Sequence, residues 1–249
     1  SMIINRSFKE FKFRHRSNKN QIIYTSKKIQ NDDDVTNLID NFLIEKNSFI
    51  FESVEKGKIK GRYTIFGKNP DKIWEFNNKD SYLIKNKNKF KLNQNPSELI
   101  EKIIEEFKFE IPSSLPPISS LISGYFSYDS IRYIEKISNT CKDDLKIPDV
   151  RLLRPRTLVI HDNLKKKIFY IINIFKDEKI DNYTNKYNEI KLELSRLLIQ
   201  SSKKPFFKID QKKSNTIKVK SNTSKNKFLK IVNKAKKYIK IGDIFQVVL

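Results

Sequence analysis

The sequence predicts an α/β chain of the α+β kind, with short strands paired through tight turns and amphipathic helices flanking them. Three observations carry this. Apolar residues recur at helical spacing in four separate segments. Runs rich in Ile, Phe, Tyr and Val lie between those segments, and several are joined by Asn, Asp or Gly turns. The 249 residues contain only 5 glycines, about 2% against a usual ~7%. A chain this poor in glycine keeps it where positive φ or close backbone approach demands it. Gly57, Gly61 and Gly67 all fall within residues 48–67 (SFIFESVEKGKIKGRYTIFG). That stretch reads as two strands, 49–53 and 62–66, joined by a glycine-bearing turn, with Glu52, Ser53 and Arg62 on or beside them. Taken alone, it is also compatible with an ordinary hairpin that has a charged edge.

The other elements follow in order. Residues 21–26 read as a strand. Asn31 and Asp32–Asp34 offer an N-cap and acidic charge for a helix whose apolar face is Val35, Leu38, Ile39, Phe42 and Leu43. Segments 72–76 and 81–84 read as a strand pair over Asn77-Asn78, and 86–95 as a polar connection. Asn95-Pro96 opens a second helix with stripe Leu99, Ile100, Ile103, Ile104 and Phe107. The proline-rich run 111–120 cannot continue it. Residues 121–126 read as a strand broken by Gly124, and 129–135 as a short helix. Segments 149–154, 156–161 and 167–175 read as strands, the last two turning at Asp162-Asn163. A helix over 180–199 carries Tyr183, Tyr187, Ile190, Leu194, Leu197 and Leu198 on one face. Thr223 or Ser224 caps a last helix with stripe Phe228, Ile231, Val232, Ala235, Tyr238 and Ile239, which Gly242 ends. Residues 243–249 (DIFQVVL) read as the start of a strand. The expected organisation is an N-terminal region over 1–200, a polar, lysine-rich linker over 201–222, and the start of a further domain over 223–249.

Composition excludes several classes. No run of about eighteen apolar residues is present, so no membrane-spanning helix is expected. The N-terminal residues lack the apolar core and cleavage site of a secretory signal. One cysteine, Cys141, excludes an internal disulfide framework, and with two distant histidines, His15 and His161, a zinc site is not expected. The net charge of +22 invites a nucleic-acid reading, but it comes from 42 Lys against 9 Arg, scattered among many Asn and Ile. Phosphate and base recognition leans on arginine's planar fork, so the excess reads as compositional bias and no nucleic-acid partner is expected. The acidic run at 32–34 lacks the glycine and following glutamate of a calcium loop.

Five segments in order carry a resemblance: 50–67 (IFESVEKGKIKGRYTIFG), 115–135 (LPPISSLISGYFSYDSIRYIE), 149–162 (DVRLLRPRTLVIHD), 168–170 and 238–249 (YIKIGDIFQVVL). Together they contain all five glycines. The chain resembles the N-terminal part of the large subunit of anthranilate synthase, within the chorismate-utilising enzymes. The resemblance implies layered, mostly antiparallel sheets with flanking helices, in which a regulatory N-terminal region packs on a chorismate-binding domain. It implies conversion of chorismate and ammonia to anthranilate and pyruvate in tryptophan biosynthesis. It further implies Mg²⁺ on the substrate carboxylates, ammonia from a glutamine amidotransferase subunit, tryptophan as feedback inhibitor and a cytoplasmic setting.

Residue by residue, the family's effector signature, two apolar residues then Glu-Ser, stands here as Ile50-Phe51-Glu52-Ser53. The resemblance makes Phe51, Glu52, Ser53 and Arg62 candidates for a tryptophan pocket. A free amino acid needs an acceptor for its ammonium, donors for its carboxylate and an apolar slot for its indole. Arg62 either offers its fork to a carboxylate or pairs with Glu52. The family's second pocket segment, Asn-Pro-x-x-Tyr, is absent from the sequence. Gln246 occupies the strand position where water-adding relatives carry a lysine base and ammonia-using relatives a glutamine. A glutamine amide can position a nucleophile that already has a lone pair, so Gln246 is the candidate catalytic residue. The catalytic histidine and the metal-binding glutamates of the family have no match in this sequence. The chain by itself is therefore expected to make no anthranilate and to hold no metal. His161 reads as a surface or satisfied histidine, and Tyr125, Phe126, Tyr128 and Tyr133 as core packing around Gly124. The aminodeoxychorismate synthase large subunit is the alternative within the class. An effector-binding or interaction module without catalysis is the alternative outside it.

Overall fold

The computed structural model describes residues 2–29, 33–55, 59–203 and 220–249. The chain divides into two compact units, 1–207 and 208–249. The first holds helices α1 (Phe8–Arg16), α2 (Asp33–Phe42), α3 (Pro96–Glu106) and α4 (Tyr183–Ser202). Its strands are β1 (Gln21–Lys28), β2 (Phe49–Glu55), β3 (Ile59–Asn77), β4 (Asp80–Lys85), β5 (Asn88–Leu92), β6 (Ser123–Phe126), β7 (Val150–Asp162) and β8 (Lys167–Ile174). All pairings are antiparallel, in the order β1-β8-β7-β3-β4-β5, with β2 added to β3 and β6 to β7.

The organising feature is a long two-stranded ribbon, β3 against β7. Where four short strands were expected (62–66, 72–76, 149–154 and 156–161), two continuous ones run. Pro70 faces Pro155 at the middle of the ribbon, and the register shifts between Pro70 and Lys72. A proline cannot donate to a ladder, so the two prolines share one interruption, a bulge that bends the ribbon without ending it. One half of the sheet is β2, β3, β7, β8 and β1. The other is β5, β4, β3, β7 and β6.

Each half has its own core. In the first, one face buries Ile23, Phe66, Val159, Tyr170 and Ile172 under α1, α2 and α4, with Phe11, Phe42, Ile190 and Leu194 from the helices. The opposite face packs Ile22, Leu158, Ile160, Phe169 and Ile171 against Leu115, Ile118 and Leu121 of the proline-rich run. In the second half, Trp74, Phe76, Val150 and Leu152 pack on Leu99 and Ile103 of α3. The α3 stripe is narrower than its spacing suggests: Ile104 is 64% exposed, because the helix lies on one sheet face with Leu99 and Ile103 inward. Asn95 caps α3, accepting from the Glu98 amide at 3.0 Å.

Several expectations change. Helix α1 is an addition to the expected elements; Ser7 and Glu10 form a capping box at its start, a signal legible in the sequence. The segment 86–95 is no simple connection: it contains β5, an edge strand guarded by Lys89 and Lys91. Gly124 does not break β6; it pairs opposite Leu152, where an added Cβ would overlap the Arg151 carbonyl. The short helix after it is a 3₁₀ turn over Tyr128–Tyr133. Tyr125, Phe126 and Tyr128 are exposed and only Tyr133 packs inward, its hydroxyl donating to Asp149 at 3.1 Å. His161 is buried and engaged, so the surface reading falls and the satisfied one stands.

In the second unit, Ser224 caps α5 (Lys225–Lys240), accepting from the Lys227 amide. Residues 243–249 form no strand. No described strand pairs with this segment, and a strand needs a ladder to join; Phe245 and Val248 lie exposed. The expected linker over 201–222 lies for the most part outside the described residues.

Candidate functional site

The bend in the ribbon is held by charge. The Arg154 guanidinium is buried, stacked 3.8 Å over the Phe175 ring. Its Nε donates to Asp71 at 2.8 Å and a terminal nitrogen to Asp177 at 2.9 Å, while Lys72 also reaches Asp177. Burial alone would raise the Asp177 carboxyl. The bonds from Arg154 and Lys72 outweigh it and hold the group at about 2. Arg156 and Lys186 both pair with Glu178 beside this cluster. Four cations thus meet three carboxylates, and the network braces the two half-sheets.

The candidate effector residues sit at the other end of β3. Strand β2 pairs only with β3 among the described residues, so its second edge carries unpaired backbone groups. Successive side chains alternate between the two faces. Ile50 packs with the helix-covered core, and Phe49 with the opposite one. Glu52 therefore shares the helix-side face with Ile50 and lies in one cross-strand row with Thr64 and His161, both buried. Phe51 lies on the other face, 47% exposed, its ring 5.0 Å from Phe49.

Two of the four candidates are already engaged. The Ser53 hydroxyl donates to the Tyr63 carbonyl at 3.1 Å and accepts from the Tyr63 amide at 3.4 Å. Arg62 does not pair with Glu52. It forks onto Asp162, through Nε at 3.3 Å and a terminal nitrogen at 3.1 Å, and lies over the Tyr63 ring. Burial by itself would raise the Asp162 carboxyl. The bonds from Arg62 and from the Lys165 and Leu164 amides more than offset it and keep the group below its usual range. In the sequence Asp162 reads only as a turn residue. Its position at the end of a strand, before Asn163, was the one available hint of a charge partner.

The structure thus gathers Phe51, Glu52 and Ser53 along one open edge, exposes the Phe51 ring and the Glu52 side chain there with no polar partner for Glu52 among the described residues, and ties Arg62 to the scaffold. Gln246 is exposed in the irregular segment 243–249. Among the described residues no group of three or more His, Cys, Asp or Glu could hold a metal ion, and no helix is long and apolar enough to cross a membrane.

A family profile described as chorismate binding enzyme matches residues 46–249. The chain belongs to that family. It is 36% identical over 205 residues to anthranilate synthase component 1 of Acetivibrio thermocellus, covering 81% of this chain and 42% of the relative. It is 28% identical over 247 residues to the component 1 of Cereibacter sphaeroides, covering 97% and 49%. It is 32% identical over 223 residues to the chloroplastic alpha subunit 2 of Arabidopsis thaliana, covering 81% and 35%. The fold is that of anthranilate synthase component I from Streptococcus pneumoniae TIGR4, with a TM-score of 0.55 at 21% identity over 77% of this chain and 41% of that one. The chain spans less than half the length of each of these relatives.

Proposed function

We propose that this chain is part of the large subunit of an anthranilate synthase, which converts chorismate and ammonia to anthranilate and pyruvate for tryptophan synthesis in the cytoplasm. In this reading a glutamine amidotransferase subunit supplies the ammonia. The observation that supports it is the match to chorismate binding enzymes over 46–249, with relatives named anthranilate synthase at 28–36% identity. Within it, the open edge of β2 serves as the feedback site. Glu52 offers an acceptor to the tryptophan ammonium, the free β2 backbone offers donors to its carboxylate, and Phe51 with Phe49 offers a face to the indole. A ligand lying along an edge reaches side chains on both sheet faces, which reconciles the opposite directions of Phe51 and Glu52. Gln246 would position ammonia, which needs no deprotonation to attack. The described residues of this chain do not form a Mg²⁺ site, so no step is assigned to that ion.

The test is a chimera in which this chain is followed by the part of the Acetivibrio thermocellus relative beyond its matched segment. With chorismate, ammonium and Mg²⁺, anthranilate fluorescence should appear and tryptophan should suppress it. Glu52→Gln should raise the tryptophan needed by roughly 10- to 100-fold, the loss of one charge-assisted bond. A soluble, folded chimera that makes no anthranilate would refute the reading. If it makes aminodeoxychorismate instead, the other ammonia-using large subunit is the right assignment. If it is inert yet binds tryptophan, the chain is an effector module.

A further inference from the structure

We infer that Ser53 and Gly61 form a positioning unit, in which the Ser53 hydroxyl completes the β2–β3 ladder and thereby sets where Glu52 stands on the open edge. The geometry is independent of any ligand, and its functional consequence rests on the effector reading above.

The register carries the argument. Glu52 faces Thr64 and Val54 faces Lys60, so Ser53 alone spans three residues of β3, namely Gly61, Arg62 and Tyr63. Two extra residues in one strand deprive Tyr63 of a backbone partner on β2. The Ser53 hydroxyl takes that place, donating to the Tyr63 carbonyl and accepting from its amide. A hydroxyl has one proton and two lone pairs, so one side chain substitutes for both halves of a ladder pair.

Gly61 makes the arrangement possible. A Cβ at that position would overlap both the hydroxyl and the carbonyl of Ser53, so no other residue allows Ser53 to lie across it. The same bulge directs Arg62 to Asp162, and the Arg62 carbonyl accepts from the Asn163 amide at 2.7 Å. The bulge is therefore fastened on both sides. A chemical consequence follows for an amino-acid ligand. With its proton committed to Tyr63, Ser53 has only a lone pair to offer, so it can accept from an ammonium and cannot donate to a carboxylate. Its main effect on the site passes through the backbone.

The experiment is amide exchange by NMR on the 249-residue chain, as wild type and as Ser53→Ala, Gly61→Ala and Glu52→Gln, followed by titration with L-tryptophan to millimolar concentration. Tyr63 amide exchange should quicken about tenfold in Ser53→Ala and in Gly61→Ala, with Phe66 and Ile160 unchanged, and should stay at the wild-type rate in Glu52→Gln. Tryptophan should shift the amides of Phe51–Ser53 in the wild type, and Gly61→Ala should lose that response although residue 61 touches no ligand. An unchanged Tyr63 rate in Ser53→Ala would overturn the ladder role. A full tryptophan response in Gly61→Ala would overturn the positioning role. Because the 249-residue chain lacks the Asn-Pro-x-x-Tyr half of the pocket, the effector reading is judged on the chimera of the preceding subsection: if tryptophan does not suppress it while Tyr63 behaves as described, that reading fails, and the consequence drawn from it fails too, while the bond stands.

Discussion

Replacing Arg154 with methionine is the sharpest test of how the ribbon is held. Methionine keeps an apolar stem over Phe175 and removes the guanidinium. Asp71 then loses its fork, and Asp177 retains, among the described residues, only Lys72. Breaking one partner out of a buried pair costs about 3–5 kcal/mol, and breaking an exposed pair about 0–1. Arg154 is 9% exposed, but the Asp71 and Asp177 side chains keep 24% and 40% of their surface in water, so they recover part of their solvation. The expected loss lies between those limits, at about 2 kcal/mol. The protein supplies its own probe, since its one tryptophan, Trp74, is buried in β3 beside the bend. In urea, with a slope of roughly 2 kcal/mol/M, the fluorescence midpoint should fall by about 1 M. Lys91→Met, which breaks the exposed 3.2 Å pair with Asp80, should leave the midpoint nearly unchanged. A fall no larger for Arg154→Met than for Lys91→Met would refute the claim that this cluster braces the half-sheets.

Two further outcomes follow from the same geometry. The folded pKa of Asp177, about 2, lies below its ordinary 3.8, so its stabilisation is fully present above about pH 4 and is lost as pH falls through 2. Because that carboxylate is partly in water, about 1 kcal/mol is expected from it, and acid titration of stability should be correspondingly shallower in Arg154→Met; parallel curves would contradict the assignment. On α3, Ile103→Ala should cost about 2–4 kcal/mol and Ile104→Ala less than about 0.5, as the first is buried against Trp74 and the second faces solvent. Equal losses in thermal unfolding would mean that α3 packs in another rotation.

Local chemistry alone determined much of this protein. Asn95-Pro96 and Ser224 start helices because a side-chain acceptor and an unneeded N–H suit a helix end wherever the helix sits. The stripes of α2 and α4 were legible because a 3.6-residue period is a property of the chain itself. Glu52-Ser53 and the glycines around them stood out for the same reason: Gly61 is required by a contact only eight positions away. Tertiary structure decided the rest. Pro70 and Pro155 each look like a strand end until they are seen to face each other, and only then do four short strands become two long ones. Arg62 could have met Glu52 within its hairpin, yet it chose Asp162, a hundred residues on, because the bulge turns it toward β7. Residues 243–249 read locally as a strand and form none, since a strand exists only with a neighbour and no described strand pairs with them. Propensity and capping act over a few residues and can be read in order. Which edge is open, which charges meet and which face is buried depend on partners brought together from across the chain.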